Sequence, residues 1–214
     1  MSDIEGKVGF DGLLNDVSSA AIDLDSLDVF SSAPEKDIFA EHERKSWDKS
    51  VEARCDFERR VRLTKRSGVW FVSLWQKSIV GRTLTDIKSD PSMIEFFASQ
   101  ISPLVAELLG SQLAKGGWAI CTTPKRRHKI KNFATLISDR IATLLDIPFY
   151  EDVALCHSRQ RVGAVFSLNV LPDEHNIIVF DDFVTTGQTL AAMKNLLTLH
   201  EKNVLFITGI NNKL

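Results

Sequence analysis

Thirteen residues, Ile177 to Thr189, gather the side chains most capable of chemistry in this 214-residue chain. They read IIVFDDFVTTGQT: an apolar run, two adjacent carboxylates (Asp181 and Asp182), and then a turn rich in threonine and glycine. The apolar run predicts a buried strand that delivers both carboxylates to its carboxyl end. The turn leads directly into a predicted helix, whose first N–H groups and dipole favour a bound phosphate.

The predicted phosphate loop consists of Thr185, Thr186, Gly187, Gln188 and Thr189. Backbone N–H groups and hydroxyls supply its donors, and Gly187 is expected to let a phosphate approach because it has no Cβ. Two carboxylates would repel a bare phosphate, so they are expected to bind ribose hydroxyls or a magnesium ion, directly or through water. The residues themselves therefore predict a ribose 5-phosphate pocket.

The same segment closely resembles the phosphoribosyl-pyrophosphate (PRPP) binding motif of the type I phosphoribosyltransferases, in which two acidic residues precede Thr-Thr-Gly-x-Thr. The resemblance implies that Asp181 and Asp182 are catalytic and hold the ribose hydroxyls, while residues 185–189 bind the 5′-phosphate. It implies an enzyme of nucleotide metabolism that uses Mg²⁺, transfers the 5-phosphoribosyl group of PRPP to an acceptor nitrogen, and releases pyrophosphate. An acidic strand end followed by a threonine-rich helix cap is the alternative interpretation.

Two further loops contain candidates for pyrophosphate binding, one after a predicted strand over 118–122 and one where the family usually has a mobile lid. The candidates are Lys125, Arg126, Arg127, Arg159 and Arg161. The layout around the first loop resembles the competence-type (ComF-like) branch of the family. Two features of that branch are missing: its usual Arg-Gly-Phe-Asn-Gln stretch reads IKNFA at 130–134, and its amino-terminal zinc ribbon is absent. A solvated or nucleic-acid-binding patch is the alternative for the basic loop.

Short apolar strands alternate with amphipathic helices after residue 67, a pattern typical of parallel βαβ units. The pattern predicts strands over 69–76, 118–122, 152–156, 176–180 and 203–208. It predicts helices over 133–145, after the turn at 185–187, and from residue 91 to about Leu108, the last one either kinked or divided at Pro103. We therefore predict an α/β fold with a parallel-sheet, phosphoribosyltransferase-like (Rossmann-like) core over residues 67–214.

The first 66 residues are predicted to form a separate amino-terminal extension. Residues 1–40 contain nine acidic and two basic side chains, net −7, and residues 41–66 contain nine basic and six acidic ones, net +3. Residues 41–63 contain no proline or glycine, and Trp47, Val51 and Cys55 fall near one helical face. The extension is thus predicted to be partly helical, an acidic segment followed by a charged helix.

Composition limits the remaining classes of function. The net charge of −2 argues against a protein built chiefly to coat nucleic acid, and three distant cysteines form no disulfide framework or zinc pair. No apolar run approaches the roughly 18 residues of a membrane span, and the first residues do not resemble a signal peptide, so a cytoplasmic location without membrane contact is expected. The expected partners are PRPP and an unidentified acceptor base. A homodimer, a non-catalytic PRPP or nucleotide sensor, and a nucleic-acid-associated protein remain open alternatives.

Overall fold

The computed structural model describes residues 53–124, 132–156 and 166–212. The strands are β1 (Arg54–Cys55), β2 (Arg62–Arg66), β3 (Val69–Gln76), β4 (Arg82–Thr83), β5 (Trp118–Thr122), β6 (Phe149–Tyr150), β7 (Ala154–Cys156), β8 (Phe166–Leu168), β9 (Asn176–Val184) and β10 (Asn203–Asn211). The helices are α1 (Leu84–Ser89), α2 (Ser92–Leu109), α3 (Ser111–Ala114), α4 (Phe133–Leu145) and α5 (Gln188–Leu199). None of these helices is both long enough and apolar enough to span a membrane.

Six strands form the main sheet, in the order β2-β3-β10-β9-β5-β6. All neighbours are parallel except β2, which pairs antiparallel with β3 at one edge. The central strand β9 has Val179 opposite Phe206 of β10 on one side and opposite Cys121 of β5 on the other. Such a strand is covered on both faces, which explains its continuous apolar run.

Helices cover both faces of the sheet and create two separate cores. On one face, α2 and α4 pack against the row of β9 that contains Ile178 and Phe180. On the other face, α5 packs against the row that contains Ile177 and Val179. This three-layer arrangement confirms the predicted α/β fold class with its largely parallel sheet.

Several predicted elements have the bounds that the sequence indicated. The strands over 69–76 and 118–122 and the helix over 133–145 are β3, β5 and α4. Helix α2 continues through Pro103 without division and ends at Leu109, before Gly110. All three cysteines are buried and none of them forms a disulfide.

The predicted charged helix over 41–63 is wrong where the structure describes it. Residues 54–55 form β1, and residues 62–66 form β2, which makes a hairpin with β3. Ser67 and Gly68 connect the hairpin and both have positive φ (47° and 76°), as a tight two-residue turn between twisted strands requires. The predicted boundary between residues 66 and 67 falls inside this hairpin, and residues 1–52 lie outside the described part.

The strand predicted over 152–156 does not belong to the main sheet. Only residues 154–156 of it form a strand, β7, which pairs antiparallel with β8 in a separate two-stranded sheet. The outer parallel strand of the main sheet is instead β6, which directly follows Pro148 and pairs with β5. Strand β9 is also longer than predicted and extends to Val184.

Candidate functional site

The four long parallel strands β3, β10, β9 and β5 present their carboxyl ends at one edge of the sheet, and this edge is staggered. Strand β5 ends at Thr122, opposite Phe180, whereas β9 and β10 continue together to Val184 and Asn211. The two aspartates that were predicted at the end of β9 therefore lie inside it, just past the end of β5. They are flanked by β10 on one side and by the residues that follow β5 on the other.

Asp181 and Asp182 lie where the side chains of β9 stop alternating strictly between the two faces of the sheet. Phe183 packs against the core that contains Phe180, whereas Val184 belongs to the core that contains Val179. Both aspartates are nearly buried, with 5% and 7% of their surface exposed.

Asp181 is linked to the residues that follow β5. The Thr123 hydroxyl donates to Asp181 Oδ1 at 3.1 Å, and the Thr123 N–H donates to the Phe180 carbonyl at 3.4 Å. Thr123 is almost fully buried, with 1% of its surface exposed. These two bonds fix the start of the basic loop beside Asp181.

Asp182 pairs with a lysine from a distant part of the sequence. Lys88 Nζ, in the last turn of α1, lies 2.7 Å from Asp182 Oδ2 and 4.5 Å from the centre of the Phe183 ring. The N–H of Phe183 donates to Asp182 Oδ1 at 3.0 Å. Each carboxylate oxygen of Asp182 thus has a donor from the protein.

The predicted phosphate loop rests on the β2–β3 turn through its carbonyl oxygens. Arg66 Nη1 donates to the carbonyls of Val184 and Thr185 at 3.3 and 2.7 Å, and the Ser67 hydroxyl donates to the carbonyl of Thr186 at 2.9 Å. Partial burial lowers the pKa of the Arg66 guanidinium, which still remains charged at neutral pH. Because these carbonyls face the turn, the opposite side of the loop is left to hydrogen-bond donors.

Those donors belong to the loop and to the first turn of α5. Among the described residues, the N–H groups of Thr186, Gly187 and Thr189 have no hydrogen-bond acceptor. The side chains of Thr185 and Thr186 are exposed. Helix α5 has twelve residues, and its N-cap residue Gly187 provides no side-chain acceptor. The Gln188 N–H donates to the Thr186 hydroxyl at 3.4 Å, and the Ala191 N–H donates to the Gly187 carbonyl at 2.9 Å. This set of donors suits an anion with several acceptor oxygens.

Gly187 is required for a reason that differs from the one expected. Its φ is +81°, and a Cβ added there would lie 2.9 Å from Arg66 Cβ and 3.3 Å from the Arg66 carbonyl oxygen. The missing side chain thus leaves room for the β2–β3 turn. The expectation that it makes room for the ligand is corrected, because the space it leaves is filled by the protein.

Magnesium binding by Asp181 and Asp182, directly or through water, stays a prediction. Both oxygens of Asp182 already accept a hydrogen bond or an ion pair from the protein. Within residues 53–124, 132–156 and 166–212, no group of three or more His, Cys, Asp or Glu side chains is arranged to hold a metal ion.

The basic candidates Lys125, Arg126, Arg127, Arg159 and Arg161 all lie outside the described residues. Sequence reasoning missed Arg66, Ser67, Thr123 and Lys88. The dipeptide Ser67-Gly68 was a usable signal for the hairpin turn that brings the first two to the loop. Lys88 had no such signal, because its contact with Asp182 spans nearly a hundred residues.

No family model matches the sequence, and no curated protein matches it. Solved structures do match. Orotate phosphoribosyltransferase from Aeropyrum pernix is 17% identical over 78% of this chain and 80% of its own, with a TM-score of 0.43. Adenine phosphoribosyltransferase from Saccharomyces cerevisiae is 16% identical over 71% of this chain and 83% of its own, with a TM-score of 0.40. Xanthine-guanine-hypoxanthine phosphoribosyltransferase from Helicobacter pylori is 13% identical over 57% of this chain and 84% of its own, with a TM-score of 0.40.

Proposed function

We propose that this chain binds PRPP and transfers its 5-phosphoribosyl group to an acceptor nitrogen, with release of pyrophosphate. The observation that carries the proposal is that the carbonyl acceptors of residues 184–189 face the β2–β3 turn, which leaves the donors of this segment on its other side. Three successive carbonyls, those of Val184, Thr185 and Thr186, are bound by Arg66 and Ser67. N–H groups and hydroxyls of the loop are thereby left to an anion, and the loop begins three residues after the buried pair Asp181 and Asp182.

The 5′-phosphate is proposed to bind residues 185–189, with the ribose hydroxyls at the acidic pair. Anchoring the phosphate, which takes no part in the bond changes, holds ribose C1 at a fixed position and lowers the entropic cost of the reaction. The acidic pair accepts hydrogen bonds from the sugar and favours the positive charge that develops on it.

The reaction exchanges one bond at ribose C1 for another. The C1–O bond to pyrophosphate breaks, and its electron pair leaves with pyrophosphate. The lone pair of the acceptor nitrogen forms the new C1–N bond, and the proton of that nitrogen passes to solvent. Magnesium, when bound, supplies charge neutralisation for the pyrophosphate oxygens. Residues Lys125, Arg126, Arg127, Arg159 and Arg161 are proposed to bind the same group, which the sequence resemblance supports.

Calorimetric titration with ribose 5-phosphate tests the phosphate site directly. Thr186→Val removes one hydroxyl at nearly constant shape, and we expect it to weaken binding about tenfold, the effect of losing one hydrogen bond to a charged group. Thr198→Val, at the other end of α5, is the matched control and should bind like the wild type. Equal affinities for the two variants would contradict the site.

A pyrophosphate-release assay with PRPP, magnesium and a panel of nucleobases tests the transfer reaction and identifies the acceptor. A non-catalytic sensor of PRPP or nucleotides is the second candidate function. It is favoured by Asp182, whose carboxylate is already engaged by Lys88 and Phe183. Tight binding of PRPP without pyrophosphate release from any base would select the sensor.

A further inference from the structure

The β2–β3 turn holds the predicted phosphate loop in one orientation. We propose that Arg66 and Ser67 are positioning residues that aim the N–H groups of this loop at its ligand, and that the Arg66 guanidinium is the counter-charge of the anionic group bound there. The identity of that group, a phosphate, rests on the proposed function. The contacts between the turn and the loop do not depend on it.

The two residues of the turn hold three consecutive peptide groups of the loop. Arg66 Nη1 donates to the carbonyls of Val184 and Thr185 at 3.3 and 2.7 Å. The Ser67 hydroxyl donates to the carbonyl of Thr186 at 2.9 Å. A trans peptide group is planar, and its N–H points away from its C=O. The N–H that shares a plane with each of these carbonyls, that of the following residue, is therefore directed away from the turn.

The Arg66 guanidinium is itself held by groups outside the loop. Its Nη2 donates to Oδ1 of Asn211, the last residue of β10, and the guanidinium carbon lies 5.7 Å from the centre of the Phe71 ring. Asn211 is nearly buried, and Phe71 belongs to the core that α5 covers. Two groups of the main sheet thus set the position of Arg66, and Arg66 in turn sets the direction of the loop carbonyls.

The positive charge of Arg66 has no carboxylate partner within the part of the chain that the structure describes. Arg66 takes part in none of the salt bridges there, and its side-chain hydrogen bonds go to neutral carbonyl and amide oxygens. A partly buried cation without a counter-charge raises the free energy of the fold. An anion on the other side of the loop, one peptide group away, supplies that counter-charge.

The close approach of the turn to the loop depends on Gly187 and on the backbone of Arg66. A Cβ at Gly187 would lie 2.9 Å from Arg66 Cβ and 3.3 Å from the Arg66 carbonyl oxygen. This packing involves neither the guanidinium nor its hydrogen bonds. Arg66→Ala keeps the Cβ and removes only the charged group, so the variant separates positioning from packing.

Carbonyl carbon chemical shifts, measured by NMR on the free protein, test the contacts without a ligand. Arg66→Ala should shift the signals of the Val184 and Thr185 carbonyls, and Ser67→Ala should shift that of the third carbonyl in the loop. Arg62→Ala removes an exposed arginine of the same strand and is the matched control, which should shift none of the three. Unchanged signals of the first two carbonyls in Arg66→Ala would overturn the proposal.

Calorimetric titration with ribose 5-phosphate tests the effect on the ligand. We expect Arg66→Ala to weaken binding by about tenfold and Ser67→Ala by about threefold, while Arg62→Ala binds like the wild type. Guanidinium chloride at millimolar concentration should recover affinity in Arg66→Ala, because it replaces the planar donor group, whereas an equal concentration of sodium chloride should not. Equal effects of the two salts would overturn the role of the guanidinium as counter-charge.

The remaining outcomes are distinct. Equal losses of affinity in Arg62→Ala and Arg66→Ala would overturn the positioning role, and so would wild-type affinity in Arg66→Ala with shifted carbonyl signals. Ser67→Ala, which removes one hydroxyl from an exposed turn, keeps the test available if Arg66→Ala does not fold. Absence of ribose 5-phosphate binding by the wild-type chain would instead refute the proposed function. The carbonyl signals would then still decide whether the turn holds the loop.

Discussion

Replacing Gly187 with alanine should destabilise the fold through two separate physical effects. The residue has a φ of +81°, and a non-glycine residue in the left-handed region costs roughly 1 kcal/mol. The new Cβ would also lie 2.9 Å from Arg66 Cβ, and overpacking of this kind costs about 2 kcal/mol. Arg66 cannot easily move away, because its guanidinium is bonded to the Val184 and Thr185 carbonyls.

The structure offers a control that isolates the first effect. Gly116 has a φ of +76°, and a Cβ added there meets nothing within 4 Å. A total cost of about 3 kcal/mol for Gly187→Ala and about 1 kcal/mol for Gly116→Ala corresponds to Tm decreases of about 9 °C and about 3 °C. Thermal unfolding followed by circular dichroism measures both. Equal Tm values for the two variants would show that the β2–β3 turn does not pack against Gly187.

Three further measurements address other parts of the molecule. Hydrogen bonds from Ser92, and then the hydrogen bond from the Arg82 guanidinium, lower the pKa of Asp90. The ionised carboxylate therefore makes its full contribution to stability above about pH 5, and this contribution is lost as the pH falls below about 4. In unfolding measurements over a series of pH values, Asp90→Asn should make stability less dependent on pH in this acidic range. Burial raises the pKa of Cys121 to about 12, so a thiol reagent at pH 8 should leave it unmodified in the native protein and label it in urea, as intact mass would show. In calorimetry, the double variant Lys125→Gln with Arg126→Gln should weaken PRPP binding far more than ribose 5-phosphate binding. If both ligands bind as before and the affinity for RNA or DNA depends less steeply on salt concentration, the nucleic-acid alternative is selected.

The sequence predicts best those elements in which the apolar pattern starts at the same place as a local boundary signal, such as a glycine or a helix-capping residue. Strand β5 is a short apolar run that begins after Gly117, and α4 has an apolar stripe that begins after Asn132, whose side chain accepts from the Thr135 N–H at 2.8 Å. Local sequence determines both features, so no knowledge of neighbouring strands is needed.

Strand β2 shows where local reasoning fails. Its sequence, RLTKR, has the charge density of an exposed helix, and helical spacing of nearby apolar residues supported that interpretation. The strand forms because it completes a hairpin with the strongly β-prone β3, with Arg66 opposite Val69 across the turn. Pairing with a partner strand thus overrides the weak helical preference of this segment. This error mattered for the candidate site, because Arg66 and Ser67 contact the carbonyls of the predicted phosphate loop.

The arrangement of the acidic pair depends on the length of β9, which its own sequence does not determine. If the strand ended at Phe180, as its apolar run predicts, the two aspartates would lie in a loop. They lie inside the strand because β10 continues beside β9 to Asn211 and because the Asn212 N–H donates to the Val184 carbonyl at 2.8 Å.

That continuation in turn depends on Gly209 of β10. A Cβ at this position would lie 2.7 Å from the Phe97 ring and 2.9 Å from the Asp182 carbonyl oxygen. Only glycine lets β10 run past Asp182 while α2 packs closely above it. The strand environment of Asp182 therefore depends on a residue 27 positions later in the chain and on a ring from a helix more than 80 positions earlier. For that reason the motif alone predicts candidate site residues but not the length of the strand that contains them.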